Sequence, residues 1–197
     1  VMSRIVNQCD VLFISHRDPD HADYWIANHF LDQGKTVIAT DDTWSDKPIH
    51  SRITHLERRL HTRRPVRVKN GQVTLEVAPY PGHQVKPPNN FYVIYTPDGI
   101  SFSHNGDQAN DEDFNWIDQI GDHQQVDVFL ANCTAIQRML DGVDADIIIT
   151  GHENELGHRI EVRIPNWHVY ELQEESTYPL VLMAWGEEFH YCLLYTS

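Results

Sequence analysis

The chain has 197 residues, 41% of them apolar, which is enough to bury a sizeable core and too apolar for a disordered chain. Its 15 basic residues against 29 acidic ones give a formal charge of −14, and such a surface would meet a phosphate backbone with repulsion, so no nucleic-acid partner is expected. No apolar run approaches the roughly 18 residues of a membrane span, and the N-terminus lacks a basic segment followed by an apolar one, so neither a membrane partner nor a signal peptide is expected.

The chain opens on Val1, and Met2, Ile5 and Val6 have the spacing of a helix already under way. Residues 9–15, CDVLFIS, form a short apolar run of strand formers. From Asp20 the period changes: Ala22, Trp25, Ile26, His29 and Phe30 share one side of a helix that Asp20 can cap and Gly34 can stop, with Trp25 and Phe30 as core aromatics. KTVIAT at 35–40 is a second strand, which completes a βαβ signal and predicts helices covering a sheet. Trp44, in the polar loop that follows, is a candidate for lining a substrate cleft.

Residues 65–69 and 72–78 are strands joined by Asn70-Gly71, a dipeptide that tolerates positive φ and marks a hairpin. Residues 91–96 and 100–104 repeat the pattern across the Pro97-Asp98-Gly99 turn. Between the two hairpins, residues 80–90 read as a polar, proline-rich loop at an active site, with Pro87-Pro88-Asn89-Asn90 stiffening its rim. A short helix is expected over 111–120, strands over 126–131 and 145–150, a helix between them over 134–140, and a last strand at 181–185. Arg63 and Arg64 could attract an anionic substrate, although an exposed basic pair more often only faces solvent. Cys9, Cys133 and Cys192 are odd in number and form no CxxC pair, so a disulfide framework and a thiolate zinc site are both unexpected, and a reducing, cytoplasmic setting is the default.

The most informative segment is His16-Arg17-Asp18-Pro19-Asp20-His21, directly after the first strand. Imidazole and carboxylate are competent ligands for zinc, iron or manganese, and a turn between a strand end and a helix start can point several side chains at one place. By itself the segment could also be a solvated turn whose aspartates cap the next helix. Three later residues change that balance. His83 follows Pro81-Gly82, Asp107 follows Asn105-Gly106, and His152 follows Thr150-Gly151, each at the end of a strand. Each alone would be an ordinary loop residue, and Asn105-Gly106-Asp107 alone an Asx turn. Together they repeat strand, glycine, then ligand-type residue, and a sheet delivers such positions to one edge.

This ordered pattern resembles the metallo-β-lactamase superfamily, whose His-x-His-x-Asp-His segment is followed by separated His, Asp and His residues at successive strand ends. His16 matches the first histidine, Asp20 and His21 the closing pair, and His83, Asp107 and His152 the later three; the resemblance covers nearly all of the chain after residue 9. It implies a metallo-β-lactamase-like αββα sandwich. It also implies two divalent cations, zinc foremost with iron or manganese as alternatives. His16, Asp18 and His83 would hold one, Asp20, His21 and His152 the other, and Asp107 would bridge them. The implied activity is hydrolysis of a small-molecule ester, lactone, thioester or phosphodiester by a water activated on the metal pair. Asp20 or Asp107 would orient that water, and His158 would serve as substitute ligand or proton donor. Glu153 or Glu155 would steady a ligating imidazole.

Asp18 departs from the pattern, since the family usually has histidine there. A carboxylate makes that site harder and more anionic, and flavodiiron proteins of the same superfamily carry glutamate at the corresponding place. A redox di-iron centre and a non-catalytic, metal-stabilised binding protein therefore stand as alternatives to the hydrolase. The family fold also has strands before its first metal motif, with almost no room for them ahead of Cys9. The chain is accordingly expected to be an N-terminally truncated fragment: residues 1–191 as one partial domain with an exposed sheet face or edge, and residues 192–197 as a non-native tail or a genuine final strand. Oligomeric state is not legible.

Overall fold

The structure is a computed structural model, and it describes residues 2–68, 71–83, 88–108, 110–152, 165, 176–183 and 187–191. Two sheets face each other. The smaller pairs β1 (Val11–Phe13) in parallel with β2 (Thr36–Ile38), with α2 (Tyr24–Asp32) as the crossover and α1 (Met2–Gln8) ahead of them. The larger has the order β3 (Arg64–Val68), β4 (Val73–His83), β5 (Pro88–Tyr95), β6 (Ser101–His104), β7 (Val128–Asn132), β8 (Ile147–Gly151) and β9 (Leu180–Val181). Its β3 to β6 half is antiparallel and its β6 to β9 half parallel. Between β6 and β7 lie α3 (Phe114–Ile117) and α4 (Ile120–His123), and α5 (Gln137–Val143) joins β7 to β8.

Strand alternation sorts the core into three layers. Val37 of β2 packs with Val6, Ala27 and Phe30 under α1 and α2, whereas its neighbour Ile38 points the other way, onto Val66, Val68, Leu75, Val77 and Tyr92 between the sheets. On the outer face of the large sheet, Ala78, Tyr80, Phe91, Val93 and Phe129 meet Trp116, Ile117, Ile120, Met139 and Leu140 of the second helical layer. Period two in the strands therefore produces the helix, sheet, sheet, helix order.

Tyr92 ties the sheets together as well as filling the space between them. Its hydroxyl donates to the carbonyl of Ile14, just beyond β1, at 3.0 Å and accepts from Asn90 Nδ2 at 2.6 Å. Tyr92→Phe would leave both groups buried without this partner, so a loss of about 1–3 kcal/mol in urea unfolding is expected. A change below about 0.5 kcal/mol would show that the hydroxyl contributes little.

Three sequence expectations are corrected. The α2 cap is Asp23, whose side chain accepts from the amides of Trp25 and Ile26, not Asp20. Trp25 is 66% exposed and only meets Tyr24 edge-on, because the buried stripe of α2 runs through Ala27 and Phe30. Most of residues 80–90 is not a loop: β4 continues to His83 and β5 begins at Pro88, leaving 84–87 outside the described residues, and Asn89 and Asn90 are buried. Three further candidates are also occupied elsewhere. Trp44 packs edge-on against Tyr24 in the outer core, while Arg63 lies over the Tyr95 ring and Arg64 pairs with Glu57. Residues 192–197 lie outside the described residues.

Candidate metal centre

Three strand ends, those of β1, β6 and β8, bring the site residues together at the C-terminal edge of the parallel strands. Leaving β1, the chain runs through Ser15 and His16 into the 16–21 turn, closed by the amides of His21 and Ala22 donating to the Asp18 carbonyl at 2.9 and 2.8 Å. Asp23 serves as the helix cap, and Asp20 stays in the cluster. Asp107 follows β6 and His152 follows β8. His152 has φ of +75°, a left-handed backbone that costs of order 1 kcal/mol for a residue with a Cβ.

Asp107 is the centre of the arrangement. Its Oδ1 lies 3.2 Å from His21 Nε2 and 3.5 Å from His152 Nε2, while its Oδ2 lies 3.7 Å from His16 Nε2. Asp20 Oδ2 is 3.8 Å from His152 Nε2 and 3.9 Å from His21 Nε2, and Asp18 Oδ2 is 3.6 Å from His16 Nε2. One ligand atom from each of Asp20, His21, Asp107 and His152 falls within 4.8 Å of the others. Donors on a tetrahedral zinc with bonds of about 2.0–2.1 Å sit about 3.3 Å apart, so these separations suit a cation placed among them. His16 lies toward the other oxygen of Asp107, with Asp18 beside His16.

The protonation pattern suits cations too. Ser15 Oγ lies 3.1 Å from His16 Nδ1 and 3.3 Å from His21 Nδ1. One hydroxyl oxygen has two lone pairs and can accept from both Nδ1–H groups when cations take up the Nε2 lone pairs; without a cation, His21 Nε2–H is placed to donate to Asp107 instead. Burial first, and the adjacent His21 second, hold the His16 pKa below its usual value, so the ring is neutral, the form that binds metal. Burial pushes Asp107 upward, but its hydrogen bond to His21 and the charges of His21, His152 and His16 outweigh this and hold it at about 2. Asp107 is therefore a carboxylate throughout the neutral range.

A band of asparagines, not anticipated from the sequence, holds Asp107 in place. Asn132 Nδ2 donates to Asp107 Oδ1 at 2.8 Å, and its own Oδ1 accepts from the amide and hydroxyl of Thr134. Asn89 Oδ1 accepts from the Asp107 amide at 3.3 Å while its Nδ2 donates to the Asn105 carbonyl at 2.8 Å, and Asn105 Oδ1 accepts from the Asn132 amide. Asn132 is the last residue of β7, but it follows Ala131 rather than a glycine, so the strand, glycine, ligand pattern that selects Asp107 and His152 passes it over. Asn132→Ala is expected to weaken zinc binding roughly 10- to 100-fold in competition with a chromophoric chelator, as loss of an orienting partner does elsewhere. Unchanged affinity would show that Asp107 is held without it.

Of the remaining sequence candidates, His83 ends β4 opposite Pro88, and its side chain is outside what the structure describes. Glu153, Glu155 and His158 lie outside the described residues. Among the described residues, no helix is long and apolar enough to cross a membrane.

No family model matches the sequence, and no curated protein does. Solved structures do match. Igni18, a metallo hydrolase from the hyperthermophilic archaeon Ignicoccus hospitalis, superposes with a TM-score of 0.69 at 15% identity, covering 96% of this chain and 85% of that one. An isothiocyanate hydrolase from Delia radicum gut bacteria gives 0.65 at 11% identity over 97% and 79%. The E377D mutant of the CmlA β-hydroxylase gives 0.57 at 10% identity over 89% of this chain and 43% of that one. At such identities the likeness is one of fold: the chain has an α/β sandwich shared with these proteins, a topology consistent with the metallo-β-lactamase-like fold.

Proposed function

We propose that this chain is a metal-dependent hydrolase with a dinuclear centre bridged by Asp107. The observation that carries the reading is the division of that carboxylate, one oxygen toward His21 and His152 and the other toward His16. In this reading Asp20, His21 and His152 hold one cation, and His16 and Asp18, completed by His83, hold the other. Bound there, divalent cations would polarise a carbonyl or phosphoryl oxygen and lower the pKa of water, zinc being the first expectation and iron or manganese the alternatives. Asp107, with its pKa near 2, is too weak a base to take a proton, so its part is to hold and orient. Asp20 is then the carboxylate that positions the attacking water, and His158 is the proton donor to the leaving group. The substrate is a small molecule cleaved at an ester, lactone, thioester or phosphodiester bond.

A second reading has its own observation. Asp18 supplies a carboxylate beside His16, which suits iron better than a set of imidazoles alone would, and one neighbour in fold is a β-hydroxylase. Metal identity and reactivity separate the two. The hydrolase reading expects about two equivalents of zinc per chain, loss of ester or lactone turnover on chelation and recovery on adding zinc. Iron with oxygen consumption on reduction would favour the redox centre. Metal-free protein that hydrolyses nothing after reconstitution would end both and leave a binding protein.

A further inference from the structure

Seven of the chain's 15 lysines and arginines lie within residues 52–69 beside a single acidic residue, Glu57, while the rest of the chain holds every other aspartate and glutamate. Most of these cations are occupied. Arg52 pairs with Asp32, Arg59 and Arg64 pair with Glu57, and Arg63 lies over the Tyr95 ring and donates to Gln124. Arg58 is different: it is half-buried, yet among the described residues it has neither a carboxylate partner nor a hydrogen bond. A guanidinium drawn back from solvent normally has a counter-charge.

Backbone pairing sets Arg58 beside the proposed centre. Thr54 bridges Ile38 of β2 in parallel, His55 turns outward to His50 and the Ala39 carbonyl, and Leu56 packs between the sheets with Tyr92. Alternation then points Arg58 inward, one step beyond Leu56 toward the C-terminal end of the small sheet. Burial raises the pKa of the Tyr92 hydroxyl, and its hydrogen bond with Asn90 and the charge of Arg58 oppose the rise, so the guanidinium lies near that hydroxyl. The same hydroxyl donates to the carbonyl of Ile14, two residues before His16. On the other side, β3 begins at Arg64 opposite Val77, so β4 from Ala78 to His83 has no β3 partner. The segment that carries Arg58 closes onto this stretch instead, with His61 Nδ1 3.2 Å from Tyr80 Oη. Arg58 thus stands between the end of β2 and the free length of β4.

We infer that Arg58 binds a carboxylate of the substrate, set apart from the bond that is broken, so that the site takes a small ester, lactone or thioester carrying an acid group. A planar guanidinium can grip such a group through two parallel hydrogen bonds. Two divalent cations would more than offset Asp18, Asp20 and Asp107, so an anionic substrate does not meet three bare carboxylates. The reaction rests on the hydrolase reading, whereas binding of a carboxylate by Arg58 can be measured without turnover.

The experiment titrates the zinc-loaded protein with 3-acetamidobenzoate and with its neutral counterpart acetanilide, following the Arg58 Nε–H resonance and the amide shifts. It is repeated with Arg58→Gln, Arg58→Lys and Arg67→Gln, after circular dichroism has checked each fold. Arg67 is the matched loss of charge, since it is exposed and its carbonyl accepts from Thr36 at the opposite end of β2. The wild type is expected to bind the carboxylate probe roughly tenfold more tightly than acetanilide. That preference should vanish in Arg58→Gln, survive in part in Arg58→Lys and persist in Arg67→Gln. The ratio of kcat/KM for 3-acetoxybenzoate to that for phenyl acetate should fall by a similar factor in Arg58→Gln, through KM. No preference in the wild type, a preference that survives Arg58→Gln, or an equal loss in Arg67→Gln would overturn the assignment. If the preference is present but neither ester is turned over, the carboxylate site stands and the hydrolase reading falls; if both esters are turned over with a ratio indifferent to Arg58, the hydrolase reading stands and the carboxylate site falls.

Discussion

Asp107→Ala is expected to abolish metal-dependent hydrolysis while leaving the chain folded. The side chain lies at the edge of the sheet rather than in any of the three apolar layers, so its removal creates no core cavity. It does remove a group within reach of His16, His21 and His152 together. Losing a shared anionic ligand should release at least one cation per chain, and a loss of about 4 kcal/mol in transition-state stabilisation corresponds to a fall of roughly a thousandfold in kcat/KM. Metal content by elemental analysis, read beside the unfolding curve, separates this from collapse of the fold. A variant with wild-type metal content and turnover would remove Asp107 from the role assigned to it.

Gly106→Ala is expected to damage both fold and site. Gly106 has φ of +55°, and a Cβ built on it would stand 2.2 Å from Asn89 Oδ1, 2.6 Å from Ser15 Cβ and 2.8 Å from Ser15 Oγ. Neither neighbour can yield without consequence, because Asn89 holds the Asp107 amide and Ser15 Oγ contacts both His16 and His21. Left-handed backbone costs alanine roughly 1 kcal/mol and overpacking about 1–3 kcal/mol more. A total near 3 kcal/mol lowers the Tm of a chain of this size by roughly 10 °C. Gly99→Ala is the matched control, since Gly99 has φ of +90° with nothing within 4 Å of the added carbon. It should show the backbone cost alone. Equal losses in the two variants would mean that crowding at Gly106 is relieved cheaply.

The parts of this protein that follow short-range rules were legible in the sequence. Alternating apolar residues located the hairpins of the large sheet and the parallel pair β1 and β2, and glycine or proline turns marked where they end. The strand ends at Asp107 and His152 were legible for the same reason, because a residue after a strand and a glycine is delivered to the sheet edge. Asp23 and Asp20 were confused because both are aspartates before an apolar stripe, and only the hydrogen bonds to Trp25 and Ile26 show which one caps. Helical phase puts Trp25 on one side with Ala22, Ile26, His29 and Phe30, but the buried stripe runs through Ala27 and Phe30 and leaves Trp25 in solvent.

The asparagine band was hidden for a different reason. Asn89 and Asn90 stand in a polar, proline-rich stretch that has the composition of a loop, yet pairing with β4 buries them and gives them Asp107, Asn105 and Tyr92 as partners. Those partners are far away in sequence, and composition cannot reveal them.

The most direct test of the dinuclear centre is anomalous diffraction at the zinc edge from crystals of the zinc-loaded chain. Two peaks are expected, one beside each carboxylate oxygen of Asp107, with His21 and His152 around the first and His16 around the second. A single peak, or zinc bound only away from Asp107, would contradict the bridged pair.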